Sequence, residues 1–206
     1  QRTMRTHLGA AMTLSPEEIT AADFAGAKHA HIEGYLMFNP ALAEKVAATA
    51  RAAGCTISLE LSSFEVVNIA RDWILAQLQQ GVQVVFANED EARALFQKDT
   101  SYDAYARKLA GYGGIACVKI GKDGAWVAKG SELHRIAPVK VDRVVDTTGA
   151  GDAWAGGFLY GYLRGMSLAG AGTLGSALGA ECVQHLGPAI PDVLWPRLRA
   201  LAQSLK

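Results

Sequence analysis

Val144-Val145-Asp146-Thr147-Thr148-Gly149-Ala150-Gly151-Asp152 reads as a strand-like pair that turns through glycines into a helix. The helix is announced downstream by Trp154, Phe158, Leu159, Tyr162 and Leu163, apolar residues at the three-and-four spacing of one helical face. Gly149 and Gly151 carry no side chains, so an anion can approach the backbone closely. Successive amides at such a turn converge on one point, and the helix N-terminus adds a favourable partial charge. Asp152 falls in the first turn of that helix, beside the expected anion hole. A carboxylate there can take the proton of an attacking hydroxyl. Taken alone, a first-turn Asp more often just stabilises a helix end. Phosphoryl transfer needs an anion site of this kind for the oxygens of the moving group.

Outward from this stretch, strand and helix signals alternate. Upstream, His31 to Leu36 is strand-like, Asn39-Pro40 opens a helix that Gly54 stops after Ala53, and Thr56 to Leu61 alternates with period two. Ser63 to Gln80 has helical spacing, Val82 to Ala87 is a short apolar strand, and Glu89 to Phe96 and Tyr102 to Tyr112 read as helices. Ile115 to Ile120 is a further strand, and Gly124 to Ala128 with Leu133 to Ile136 forms an antiparallel pair. Ser15-Pro16-Glu17-Glu18 carries an N-cap, a first-position proline and first-turn acids, and so reads as a helix start. After Gly149 the pattern stays helical to the end, with breaks near Met166 and at Gly187-Pro188. Strands separated by helices of this length predict βαβ units and a largely parallel sheet, with ligands beyond the carboxyl ends of the strands. No linker, low-complexity tract or repeat divides the chain, so residues 1–206 are expected to form a single domain.

Composition narrows the function classes. Half of the 206 residues are hydrophobic and 19% are charged, as in a globular protein. Lys plus Arg balance Asp plus Glu at 20 each, which leaves no basic field for nucleic acid or an anionic membrane. No apolar run reaches the ~20 residues of a membrane span. Cys55, Cys117 and Cys182 form no CxxC pair and none of the five histidines completes a zinc spacing, so reduced, buried thiols in an intracellular protein are expected. A GxGxxG after the first strand, followed by an acid about 20 residues on, which a dinucleotide-binding oxidoreductase would need, is absent.

The segment Asp146 to Asp152 resembles the second signature of the ribokinase-like (PfkB) carbohydrate kinases, a family that includes fructokinases and adenosine kinases. The resemblance covers nearly the whole chain in element order. It implies a Rossmann-like three-layer α/β/α fold and an enzyme that uses ATP and Mg²⁺ to phosphorylate a hydroxymethyl group of a sugar or nucleoside. By this resemblance Asp152 is the catalytic base, and the amides of Gly149, Ala150, Gly151 and Asp152 form the anion hole. Asn88-Glu89-Asp90-Glu91 is similar to the family's Asn-x-x-Glu motif, with Asn88 facing the nucleotide phosphates and Glu91 placing Mg²⁺ through water. Lys119, Gly121, Lys122, Asp123 and Gly124 match the nucleotide loop, and Ser176 matches a position near the adenine ring. Asp146 and Thr148, with Cys182, His185 and Gly187, align with positions that build a monovalent-cation (K⁺) site in some members.

The chain departs from the family at its start. The early Gly-Gly strand, the Asp that grips substrate hydroxyls and the lid strands are not found, so a form without the lid region is expected, lacking about 100 residues of a kinase domain of usual size. Those strands often mediate dimerisation in the family, which makes a homodimer an open expectation. Arg2 to Thr6 resembles the strand after the missing region, and Arg5 could reach a substrate anion. Ser58 to Glu65 and Ala87 to Glu91 are worded most like the adenosine-kinase-like sugar kinase branch. The competing expectation is a non-catalytic kinase-like scaffold or binding subunit, against which the intact Asp152 and its glycines argue.

Overall fold

Along the central strands the side chains alternate between two apolar surroundings, and this alternation builds the layers. The computed structural model describes residues 9–205. One sheet holds β1 (His29–Glu33), β2 (Thr56–Glu60), β3 (Val84–Asn88), β4 (Ile115–Lys119), β5 (Ala125–Lys129) and β6 (Glu132–Ile136), in that spatial order. The first four strands are parallel, and β5 and β6 continue antiparallel. The crossovers are α1 (Pro40–Ala52), α2 (Phe64–Gln79) and the pair α3 (Glu89–Phe96) and α4 (Tyr102–Ala110). After β6 come α5 (Ala150–Tyr162), α6 (Leu168–Cys182) and α7 (Trp195–Ser204).

Leu59, Val85, Ala87, Ala116 and Val118 share one core with α1 to α4. Their strand neighbours Val84, Phe86, Ile115 and Cys117 share the other with α5 to α7. A two-residue pleat sends successive side chains to opposite faces, so a strand covered on both faces must be apolar throughout. The result is a three-layer α/β/α arrangement. α1 and α2 start where side chains satisfy first-turn amides: Asn39 accepts from Leu42 N at α1 and Ser63 from Val66 N at α2. α5 and α6 touch backbone to backbone. A methyl built on Gly157 would stand 3.0 Å from Gly175 Cα, and one on Gly179 would stand 3.2 Å from Ala150 O.

Three expected elements differ. Val144-Val145 is not a strand. Its side chains are 57% and 41% exposed, and Val145 N–H donates to Val183 O at 2.7 Å, so the donor a sheet would use goes to the end of α6. Ser15-Pro16 opens only a single 3₁₀ turn (Pro16–Glu18), closed by Ser15 N–H to Glu18 Oε2, because no apolar face follows to bury a longer helix. The first strand stops at Glu33. At Gly34 a methyl would stand 2.8 Å from Leu61 O, and the chain turns there into a 3₁₀ segment (Gly34–Phe38). The Arg2 to Thr6 segment, Arg5 included, lies outside the described residues. All three cysteines are buried and unpaired. Among the described residues no helix is long and apolar enough to cross a membrane.

Candidate active site at the strand ends

Each parallel strand finishes on a polar residue: β1 on Glu33, β2 on Glu60, β3 on Asn88 and β4 on Lys119. Parallel pairing brings these four residues to one edge, with Glu33 beside Glu60 and Asn88 beside Lys119. This is the edge where open α/β sheets place ligands. α5 arrives at the same edge from the other layer, N-terminus first.

The turn into α5 is fixed by packing. Gly149 has φ +75°, and a methyl on it would stand 2.4 Å from Pro188 Cβ, so both the backbone and the space demand glycine. Ala150 N–H donates to Thr147 O at 3.3 Å, and Ala153 N–H closes the first helical bond to Gly149 O at 2.8 Å. The first-turn amides of a helix have no intrahelical acceptor, which leaves Gly151 and Asp152 the amides best suited to a ligand. A methyl on Gly151 would come within 3.1 Å of Lys119 Nζ and 3.7 Å of Glu60 Oε1. The space over Gly151 is therefore a cradle floored by the paired Lys119 ammonium and Glu60 carboxylate. Asp152 is exposed at the mouth of this cradle, and its charge acts on His31, Glu33 and Cys182.

Asn88 and Glu91 lock together at the start of α3. Asn88 Oδ1 accepts from the Asp90 and Glu91 amides, while Glu91 accepts from Asn88 N at 2.8 Å and Asn88 Nδ2 at 2.7 Å. Burial pushes the Glu91 carboxyl up to about 7, against the opposing pull of the Asn88 amide and Lys119. Both Glu91 oxygens already accept protein hydrogen bonds, so a hard cation would be reached through water, which suits Mg²⁺. Among the described residues no three His, Cys, Asp or Glu side chains gather closely enough to hold a metal alone. Mg²⁺ would need nucleotide phosphate oxygens to complete its shell.

His31, Glu33 and Glu60 belong to the same cluster, although sequence reasoning did not select them. Glu60 is 7% exposed and pairs with Lys119, and its Oε2 lies 3.8 Å from His31 Nε2. Burial, with Lys119 adding, lowers the tendency of His31 to protonate, while Glu60 and Asp152 oppose. Glu33 is raised by burial and then by Asp152 and Glu60. The signal that could have found them is polar residues at matching alternate positions of two otherwise apolar strands.

The remaining sequence-selected residues divide. Asp146 ties two loops together, accepting from Thr148 N at 2.9 Å and Gly187 N at 3.0 Å. Cys182 Sγ reaches Thr148 O at 3.4 Å and Pro188 O at 3.6 Å behind the turn into α5. Burial and the nearby Asp152 and Asp146 push its thiol up. The Cys182 carbonyl accepts His185 N–H at 3.2 Å. Gly121, Lys122 and Asp123 form an exposed 3₁₀ turn directly after Lys119, closed by Ile120 N–H to Gly124 O at 2.8 Å. Ser176 does not join the cluster. It is buried between α6 and α5, where it accepts Trp154 Nε1–H at 3.3 Å.

The family model for pfkB family carbohydrate kinases matches residues 1–194. A probable sugar kinase from Rhizobium etli CFN 42 superposes with a TM-score of 0.85 at 35% identity, over 94% of this chain and 59% of that one. The adenosine kinase from Sinorhizobium meliloti does so at 0.82 and 33%, over 91% and 58%. These likenesses identify the three-layer arrangement as the ribokinase-like fold. An uncharacterized sugar kinase of Archaeoglobus fulgidus is 37% identical over 114 residues, 55% of this chain and 44% of its own length. The chain spans about half the length of the curated relatives it matches.

Proposed function

The chain belongs to the pfkB family of carbohydrate kinases, and on that premise we propose that it is the nucleotide-binding and catalytic part of an ATP-dependent kinase acting on a hydroxymethyl group of a sugar or nucleoside. The observation that carries the reading is the cradle at Gly151. The first-turn backbone of α5 lies there against the Lys119 ammonium, at the carboxyl ends of four parallel strands, and the exposed Asp152 is the next residue. An anion hole and a base side by side are the parts that phosphoryl transfer requires.

In this reading Asp152 accepts the proton of the acceptor hydroxyl as its oxygen attacks. The amides of Gly149 to Asp152 and the Lys119 ammonium hold the oxygens of the transferring group, with the Gly151 and Asp152 amides the nearest donors. Asn88 and the turn from Gly121 to Gly124 flank the phosphates. Glu91 would orient Mg²⁺ through water, and the ion bound with the nucleotide would supply charge neutralisation across the phosphates. K⁺ beside Asp146 and Thr148 would brace the loop that backs Gly149. Ser176 would act on the nucleotide only indirectly, by fixing Trp154 within α5. The wording of Ser58 to Glu65 and Ala87 to Glu91 supports the adenosine-kinase-like sugar kinase branch, and one continuous sheet supports a single ribokinase-like domain.

The test is phosphate transfer from Mg·ATP to a panel of sugars and nucleosides, comparing the protein with Asp152→Asn. Loss of the base should lower turnover by about a thousandfold. Equal turnover in the two would sink the assignment of Asp152. Nucleotide binding with no transfer to any acceptor would favour the non-catalytic binding subunit instead.

A further inference from the structure

Glu60 is buried at the end of β2, where its carboxylate faces three groups. Oε1 pairs with Lys119 Nζ, and Oε2 lies 3.8 Å from His31 Nε2. A methyl on Gly151 would stand 3.7 Å from Oε1. His31 is itself fixed, with Nδ1 at 2.8 Å from Ser58 Oγ. A lysine stem without a partner samples many rotamers, so the ammonium stays at the floor of the cradle because a buried carboxylate holds it there. An ammonium has three donors and can share a carboxylate and a phosphate oxygen, but each additional acceptor weakens its hold on the others.

We propose that Glu60 is the positioning residue for Lys119: it keeps the ammonium beside Gly151 in the nucleotide-free chain and competes for it with the terminal phosphate of ATP. This rests on the reading of the cradle as a phosphate site. ADP lacks the γ-phosphate that would lie over Gly151, and so it leaves the ammonium with Glu60. Glu60 therefore sets how strongly the site prefers ATP over ADP, and it does so only through Lys119.

The experiment is calorimetric titration of the full chain with Mg·ATP and with Mg·ADP, in wild type, Glu60→Gln, Lys119→Met and the double variant. Glutamine keeps an acceptor for the ammonium, and thermal melting checks that each variant is folded. Without the competing charge, Glu60→Gln should raise the preference for Mg·ATP over Mg·ADP by about fivefold. Lys119→Met should weaken Mg·ATP by about tenfold with little effect on Mg·ADP. In the double variant the Glu60 effect should vanish, leaving the ratio of Lys119→Met alone. Equal weakening of both nucleotides by Glu60→Gln would overturn the proposal, since that is the mark of a purely structural residue. So would an unchanged Glu60 effect in the Lys119→Met background. Failure of the wild type to bind either nucleotide would remove the phosphate-site reading itself, an outcome distinct from the other two.

Discussion

On the face of the sheet that meets α5, β3 and β4 present Val84, Phe86, Ile115 and Cys117, whereas β1 and β2 present His29, His31, Thr56 and Ser58. The first group packs under Trp154 and Phe158. The second is laced together by hydrogen bonds: His29 bridges Thr56 Oγ1 at 2.8 Å and Ser58 Oγ at 2.9 Å, and His31 shares the same Ser58 oxygen. Phe86 is the seam. It lies edge-on to His31 on one side and to Trp154 and Phe158 on the other. The apolar half fixes where α5 stands, and the polar half fixes what charge its N-terminus meets. The cradle at Gly151 lies at the upper end of that seam, where Glu60, Lys119 and α5 converge.

The comparison can be broken in three places. The largest effect belongs to the apolar half. Phe158 is fully buried among Phe86, Trp154 and Tyr162, so Phe158→Ala should cost about 3–5 kcal/mol in a urea unfolding titration. A cost below about 1 kcal/mol would mean that α5 is held by something else. Next comes the rim. The Glu91 carboxyl keeps its proton up to about 7 in the folded chain, while its ordinary value is 4.5. Between those values the folded state binds more protons, so stability falls as pH rises and the full penalty stands above pH 7. Glu91→Gln should flatten this slope, so that wild type loses roughly 3 kcal/mol relative to the variant across that window, read from melts at successive pH values. Parallel pH curves for the two proteins would contradict the burial argument. The smallest effect belongs to the polar half. His29 is only partly buried, and His29→Ala should cost within about 1 kcal/mol, since water replaces its two hydrogen bonds. A cost equal to that of Phe158→Ala would erase the distinction between the halves.

Periodicity made the layers legible because buried strands and amphipathic helices must repeat at 2 and 3.6 residues. The α3 span from Glu89 to Phe96 follows the sequence reading to the residue, since Asn88 and Glu91 write its start locally. The turn at Gly149 was legible for the same reason: only glycine satisfies it. Val144-Val145 misled because β-propensity says nothing about which partner is within reach, and the Val145 amide is taken by Val183 O. Glu60 and His31 escaped notice because their significance depends on register. A glutamate ending a strand is ordinary until a lysine two strands away is found to pair with it. Ser176 was selected by resemblance alone, and nothing in the sequence pattern signals that its hydroxyl meets Trp154.

The glycine contacts between α5 and α6 bear on how this protein can change. Where two helices meet through bare backbone, every substitution adds volume, so the contact offers no tolerated neighbours in mutational space. Gly157 and Gly175 stand far along their helices from the cradle, yet a methyl at either would lever α5 away from α6 and carry the Gly151 amide with it. Residues that never approach a ligand are thereby held as tightly as those that do. A survey of tolerated substitutions along α6 would then trace the outline of the turn at Gly151 from behind.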